Sequence, residues 1–158
     1  MKKIASFQVD HRRLKPGLYV SRKDMFGETA LTTFDLRFKE PNTEPVIDMP
    51  ALHTIEHLGA TFLRSHQDWA DRVVYFGPMG CRTGCYLILE GDLSSEDALP
   101  LVREMVDWIA AFEGQIPGAA PAECGNWREQ NLEMAKWEAN RYAGVLKNPA
   151  AENLNYPV

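Results

Sequence analysis

Hydrophobic and polar positions along the chain follow two periods. Over 29–38, Phe34, Leu36 and Phe38 alternate with Thr33, Asp35 and Arg37, the pattern of a strand with one buried face. Over about 49–64, Leu52, Ile55, Leu58, Gly59 and Phe62 recur at helical spacing. Asp48 suits an N-cap there and Pro50 a first turn. Gly59 inside a helix costs roughly 1 kcal/mol relative to Ala, so close approach of another element is expected at that point. Leu101, Val102, Met105, Val106, Trp108, Ile109 and Phe112 trace a second amphipathic helix. It starts at Ser94-Ser95-Glu96-Asp97 and is closed by Gly114, with Pro100 in its first turn or at a kink. Leu132, Ala135, Ala139 and Tyr142 place a third helix over about 126–146. Residues 73–77 and 86–90 read as strands joined by the Pro- and Gly-rich loop 78–84. Two shorter strands are expected at 4–9 and 17–20, with a turn at Pro16-Gly17. Residues 39–50 and 115–125 are loops broken by prolines. Residues 148–158 have no periodicity and are expected to form a loose tail.

Composition narrows the class. The 158 residues fit a single domain over 1–158, and 45% hydrophobic with 25% charged residues is ordinary for a soluble globular protein. The formal charge is −5 with Lys and Arg scattered, which excludes the basic face of a nucleic-acid binder. No apolar run approaches the ~18 residues of a membrane span. The first seven residues run directly into Asp10, His11, Arg12 and Arg13, without the apolar core of a signal peptide. Three cysteines and no export signal predict a cytoplasmic chain without a disulfide framework. Cys85, at a strand start, reads as a small core filler. Cys81 sits in a loop beside Arg82, and a neighbouring cation lowers a thiol's pKa. From its own segment Arg37 reads as a solvated edge residue. His11 is equally open to a surface and a functional reading.

The chemistry concentrates in His53-Thr54-Ile55-Glu56-His57. On a helix, the two histidines share one face and can hold one metal ion, with Glu56 beside that face as a proton carrier. Cys124, at the end of the second loop, offers a third ligand. Two imidazoles and a thiolate leave an open position on a tetrahedral ion, the arrangement of a catalytic site. H-x-x-E-H is also the inverted zincin motif. An inverzincin-like metallopeptidase, with Glu129, Glu133 or Glu138 as its carboxylate ligand, therefore stays open, but it leaves Cys81 and Cys124 without a role. A non-catalytic metal-binding module would need no spare thiol, and two plain surface histidines are the remaining reading.

In order and spacing, several pieces of the chain resemble the S-ribosylhomocysteine lyase (LuxS) family over about residues 6–146. They are Ser6-Phe7 with Asp10-His11, Phe34-Asp35-Leu36-Arg37-Phe38, Pro41-Asn42, and His53-Thr54-Ile55-Glu56-His57-Leu58. They continue through Arg64-Ser65-His66, Pro78-Met79-Gly80-Cys81-Arg82-Thr83-Gly84, Ile116-Pro117 and Cys124-Gly125. The resemblance implies an α+β fold, an antiparallel sheet packed against helices, in a homodimer whose active sites draw on both chains. It implies one divalent ion per subunit, natively Fe2+ with Zn2+ possible, held by His53, His57 and Cys124. It assigns Ser6, His11 and Arg37 to substrate binding, and Glu56 and Cys81 to proton transfer. The implied reaction cleaves S-ribosylhomocysteine to homocysteine and 4,5-dihydroxy-2,3-pentanedione, the autoinducer-2 precursor of quorum sensing and a branch of the activated methyl cycle. Two departures stand out. Many members carry an acidic residue shortly before the Pro-Met-Gly turn, where this chain has Val74-Tyr75-Phe76-Gly77. Gly59 is smaller than the residue usual after the motif.

Overall fold

The structure, a computed structural model, describes residues 1–157. Strand β1 (Gly17–Phe26) and strand β2 (Thr29–Arg37) form a hairpin. Gly27 turns it at a φ of 64°, a left-handed conformation that glycine adopts without a Cβ clash. β1 runs well past residue 20. After a bulge at Ser21, its second half, Arg22-Lys23-Asp24-Met25-Phe26, pairs with β2 through its backbone, and the run Arg22-Lys23-Asp24 breaks any apolar period. Strands β3 (Val73–Pro78) and β4 (Gly84–Glu90) form a second hairpin, and β4 pairs with β2. The sheet order is β1-β2-β4-β3 with every neighbour antiparallel. The helices are α1 (Met49–Arg64), α2 (Ser95–Ala111) and α3 (Leu132–Lys147). The architecture is α+β.

The alternation in β2 sends Phe34 and Leu36 to the helix side, where they join Leu87 and Leu89 of β4 and Ile55, Leu58, Val102, Met105 and Tyr142 of the helices in one core. Each aliphatic side chain fully buried there contributes about 1.5–3 kcal/mol relative to exposure. α1 starts where the sequence places it, with the Asp48 carboxylate accepting from the Ala51 amide at 3.2 Å. Ser94 and Asp97 cap α2 reciprocally, and Pro100 lies in its second turn without ending it. Cys85 is fully buried, as its position predicts.

Four expectations are corrected. The segment at 4–9 is not a strand. Ala5–Phe7 form one 3-10 turn with Ile4 and Phe7 exposed. With no partner strand, the backbone satisfies itself locally, the Phe7 amide donating to the Ile4 carbonyl at 3.0 Å. The third helix begins at Leu132, not near 126, with Asn131 as its N-cap accepting from the Met134 amide at 3.1 Å. Glu129 thus lies ahead of the helix, and its carbonyl faces His53.

The polar face of β2 corrects the other two. Asp35 and Arg37 are 1% and 4% exposed, against the solvated reading of Arg37. The C-terminal tail, which lacks periodicity, is docked there rather than loose. Tyr156 stacks on Tyr19 with ring centroids 4.8 Å apart, and its hydroxyl donates to Asp35 Oδ2 at 2.8 Å. Asn153 donates to the Pro16 carbonyl at 2.9 Å. A Cβ on Gly17 would lie 2.1 Å from the Asn153 oxygen, so this approach requires glycine.

The expected close approach at Gly59 is made by Phe76 of β3, whose ring would lie 2.3 Å from an added Cβ. Phe76 is buried, so its ring cannot swing clear without cost. Gly59→Ala should therefore lower the urea midpoint, with overpacking of about 1–3 kcal/mol exceeding the ~1 kcal/mol gain in helix propensity. Phe76→Leu in the same chain should recover part of the loss. An Ala variant as stable as the parent would contradict this packing.

Candidate metal centre and thiol cluster

α1 presents His53 and His57 one turn apart, their rings edge to face at 4.6 Å between centroids. A long irregular segment from Phe112 to Asn131 crosses this face of the helix and delivers three groups to it. The Pro117 carbonyl lies 2.7 Å from His57 Nδ1 and the Glu129 carbonyl 2.8 Å from His53 Nδ1. Carbonyl oxygens only accept, so both rings carry their proton on Nδ1. Gln130 Nε2 also approaches His53 Nδ1 at 3.3 Å, but the shorter carbonyl contact decides the tautomer. Each histidine therefore keeps an unprotonated Nε2 lone pair facing away from its carbonyl partner. The third group is Cys124, whose Sγ lies 3.5 Å from His53 Nε2 and accepts from the Asn126 amide at 3.4 Å.

One ligand atom each from His53, His57 and Cys124 lie within 4.8 Å of one another. Among the described residues this is the one group of three or more such side chains that could hold a metal ion. The donor set fits. Two imidazoles in the correct tautomer, each oriented through its other nitrogen, and a sulfur that accepts a backbone amide suit a borderline divalent ion. Glu56 lies alongside and lines a cavity of about 250 Å3 with Leu52, His53, Pro78, Asn126 and Glu129.

Of the three glutamates a peptidase reading would recruit, Glu133 is exposed on the first turn of α3 and outside the group of possible ligands, and the other two have partners. Glu138 is buried in an ion pair with Lys39 at 2.7 Å. The Glu129 carboxylate accepts from Asn126, and its carbonyl holds His53. The third member of the group is thus a thiol, and nothing in the geometry favours the hydrolase.

A second cluster forms on the other face of the sheet. Cys81 is exposed in the β3–β4 loop, and Arg82 beside it has a φ of 58°. That left-handed conformation costs a non-glycine residue about 1–2 kcal/mol. The loop is tied down by the Thr83 carbonyl, which accepts from the Phe38 and Lys39 amides at 2.9 and 3.0 Å. Arg37 Nη1 donates to Thr83 Oγ1 at 2.6 Å and lies 3.9 Å from Cys81 Sγ. Thr83 Oγ1 is 3.1 Å from the same sulfur and, already accepting from Arg37, has its own proton to give. Partial shielding from water raises the Cys81 thiol. Hydrogen bonding from Thr83, side chain and backbone, and the Arg37 charge outweigh it, so the pKa is lowered overall. The cation that acts is Arg37, from another strand, rather than the adjacent Arg82.

Of the other predicted residues, Ser6 lines a cavity of about 320 Å3 with Ser21, Arg22, Thr33, Tyr75 and Tyr86 on this outer face. Tyr75 comes to this lining from the segment before Pro78. His11 Nδ1 lies 2.8 Å from the Val9 carbonyl, which orients its ring. The structure thus brings His53, His57, Cys124 and Glu56 together, and separately Arg37 and Cys81. No hydrogen bond or ion pair among the described residues joins the two clusters. Thr83, Asp35, the carbonyls of Pro117 and Glu129, and Tyr156 escape a reading of the sequence. They act through backbone atoms or through partners distant along the chain, and no spacing marks them.

The family profile for S-Ribosylhomocysteinase (LuxS) matches residues 4–152. Relatives named S-ribosylhomocysteine lyase match nearly the whole chain. The protein of Desulfotalea psychrophila is 58% identical over 158 residues, covering 99% of each chain. That of Clostridium acetobutylicum is 56% identical over 157 residues, again covering 99% of each. That of Borreliella burgdorferi is 54% identical over 157 residues, covering 99% of this chain and 100% of its own.

Gly118 tests how the loop holds the histidines. Its φ is +71°, and a Cβ there would lie 3.0 Å from His57 Nδ1. Gly118→Ala should displace the His57 ring and weaken retention of a divalent ion by about 10- to 100-fold, the usual effect of disturbing a ligand's outer partner. Competition with a chromophoric chelator measures it. Retention equal to the parent would show that the Pro117 carbonyl does not orient His57.

Proposed function

The chain belongs to the S-ribosylhomocysteinase (LuxS) family and is a carbon–sulfur lyase acting on S-ribosylhomocysteine; we propose that it works by two proton shifts and a β-elimination, as one catalytic domain over 1–158. In this reading His53, His57 and Cys124 hold one divalent ion per subunit, natively Fe2+ with Zn2+ an alternative. Glu56 and Cys81 carry protons, and Ser6, His11 and Arg37 contact the substrate. The supporting observation is the convergence of two Nδ1-protonated histidines and one thiol beside a cavity lined by Glu56.

The substrate dictates the parts. Its sulfur sits on C5 of an open-chain aldose, and a thiolate leaves C5 only after C4 loses a proton. C4 becomes acidic only when a carbonyl stands at C3. The carbonyl must therefore travel from C1 to C2, with a proton moving from C2 to C1. It then travels to C3, with a proton moving from C3 to C2. Loss of the C4 proton then breaks the C5–S bond and releases homocysteine, and the remaining five-carbon enol settles to 4,5-dihydroxy-2,3-pentanedione. When bound, a divalent ion supplies Lewis-acid stabilisation of the oxygen charge that develops at each shift. The residues supply the rest. A carboxylate at Glu56 takes and returns protons at carbons near the cavity. A thiolate at Cys81, favoured by Thr83 and Arg37, does so at another carbon. Arg37, His11 and Ser6 offer donors to the sugar hydroxyls.

The two clusters occupy different regions of one chain, and the exposed apolar side chains Ile4 and Tyr75 line the outer-face cavity. Both facts support a homodimer in which Cys81 and Arg37 of one chain complete the site built on Glu56 of its partner. The substrate is a small molecule. We place the enzyme in the cytoplasm, with no nucleic acid or membrane involved. No helix among the described residues is long and apolar enough to cross a membrane.

Glu56→Ala and Cys81→Ala should each lower the rate of homocysteine release, read with a thiol-reactive disulfide dye, by at least ~100-fold, the lower end of the loss for a positioned acid–base group. Near-normal turnover in either would sink its role. Mixing and re-pairing the two inactive chains should restore roughly a quarter of parent activity, because half the dimers are mixed and each holds one intact site. No restoration would mean that one chain supplies both residues.

A further inference from the structure

Asp35 and Arg37 lie two residues apart on β2 and share its outer face, buried. A carboxylate and a guanidinium in contact normally close a fork of two parallel hydrogen bonds. This pair does not. Arg37 Nη2 donates to Asp35 Oδ2 at 2.6 Å, while Asp35 Oδ1 and Arg37 Nε are buried without a hydrogen-bond partner. Two unpaired buried polar atoms are unfavourable, so something must hold the fork open.

Two hydroxyls do so. Tyr156 donates to Oδ2 at 2.8 Å, occupying the oxygen that Arg37 also uses. Thr83 accepts Arg37 Nη1 at 2.6 Å. The Tyr156 ring is fixed in turn by its stack on Tyr19 at 4.8 Å. With the fork open, Nη1 stays directed at the Cys81 loop, 3.9 Å from the sulfur. We infer that Tyr156, in the C-terminal tail, is a positioning residue for Cys81: its hydroxyl on Asp35 keeps the Arg37 guanidinium shared between that carboxylate and the thiol. Without the hydroxyl, the fork closes on Asp35 and Nη1 withdraws from the sulfur.

The other titratable groups facing the pair are Tyr19 on β1, Cys85 and Tyr86 on β4, and Tyr142 on α3. Burial first, and the Asp35 charge second or later, raise all four above their ordinary values. They stay neutral near pH 7, and the charge that acts on Cys81 is that of Arg37. The catalytic consequence rests on the reading of Cys81 as a proton carrier, whereas the effect on its thiol does not.

The test is alkylation of Cys81 by iodoacetamide in the full-length protein across a pH series, followed by the mass of the Cys81 peptide. Tyr156→Phe removes only the hydroxyl and keeps the ring on Tyr19. The pH midpoint should rise by at least ~0.5 unit, about threefold less thiolate on the acid side of the midpoint. Truncation from Asn155 onward should raise it at least as far. Asn155→Ala, one residue away, should leave it in place. An unchanged midpoint in both Tyr156→Phe and the truncated chain overturns the inference, even if turnover falls, because the tail then only packs. Cys81→Ala with normal turnover would instead remove the proton-carrier reading and leave the midpoint result standing.

Discussion

Two hydrogen bonds from histidine rings to backbone carbonyls organise this protein. His57 reaches the Pro117 carbonyl and His53 the Glu129 carbonyl. Each bond does two things. It sets the tautomer, because a carbonyl can only accept, and so frees Nε2 on both rings. It also pins a segment with little regular structure across α1, which places Cys124 beside the histidines. α3 starts only at Leu132, capped by Asn131, so Glu129 stays in the irregular segment with its carbonyl turned to His53. Gly118 is drawn in as well, where a left-handed φ lets the loop turn under the His57 ring.

The sheet separates two kinds of chemistry. Its helix side is apolar and holds α1 by close packing, down to the absence of a Cβ at Gly59 against Phe76. Its outer side buries charge. There Asp35, Arg37, Thr83 and Tyr156 form a network that is satisfied at some atoms and not at others. Low dielectric makes such a network sensitive to each member, and the sensitive end of this one is the Cys81 thiol. The proposed enzyme thus has a metal-binding cluster and a thiol cluster on different supports. In the proposed homodimer a second chain joins them.

Legibility in the sequence differed by mechanism. Helices α1 and α2 and strand β2 were readable because their burial repeats with a fixed period. Glycine at position 59 was readable as a site of close approach because its helix penalty demands a reason. The second half of β1 was not, since polar residues pair through backbone without leaving an apolar pattern. Segment 4–9 misled, because a few apolar residues without a partner strand form a local turn. Arg37 was misread as solvated and the tail as loose for one shared reason. Each buries the other's surroundings, and neither segment alone contains that information.

The sequence by itself determined which residues could carry chemistry. His53, Glu56 and His57 are locked to one helical neighbourhood by spacing, and the ordered set of motifs ties Cys81 and Cys124 to a family. The tertiary structure decided how those residues are held. It selected Arg37 over Arg82 as the cation at Cys81, chose the protonated nitrogen of each histidine, and docked Tyr156 on Asp35. These are through-space contacts between segments far apart in the chain, made by backbone carbonyls, a guanidinium and a phenol. Periodicity reports only which face of an element is buried, and it is silent on what arrives there from elsewhere.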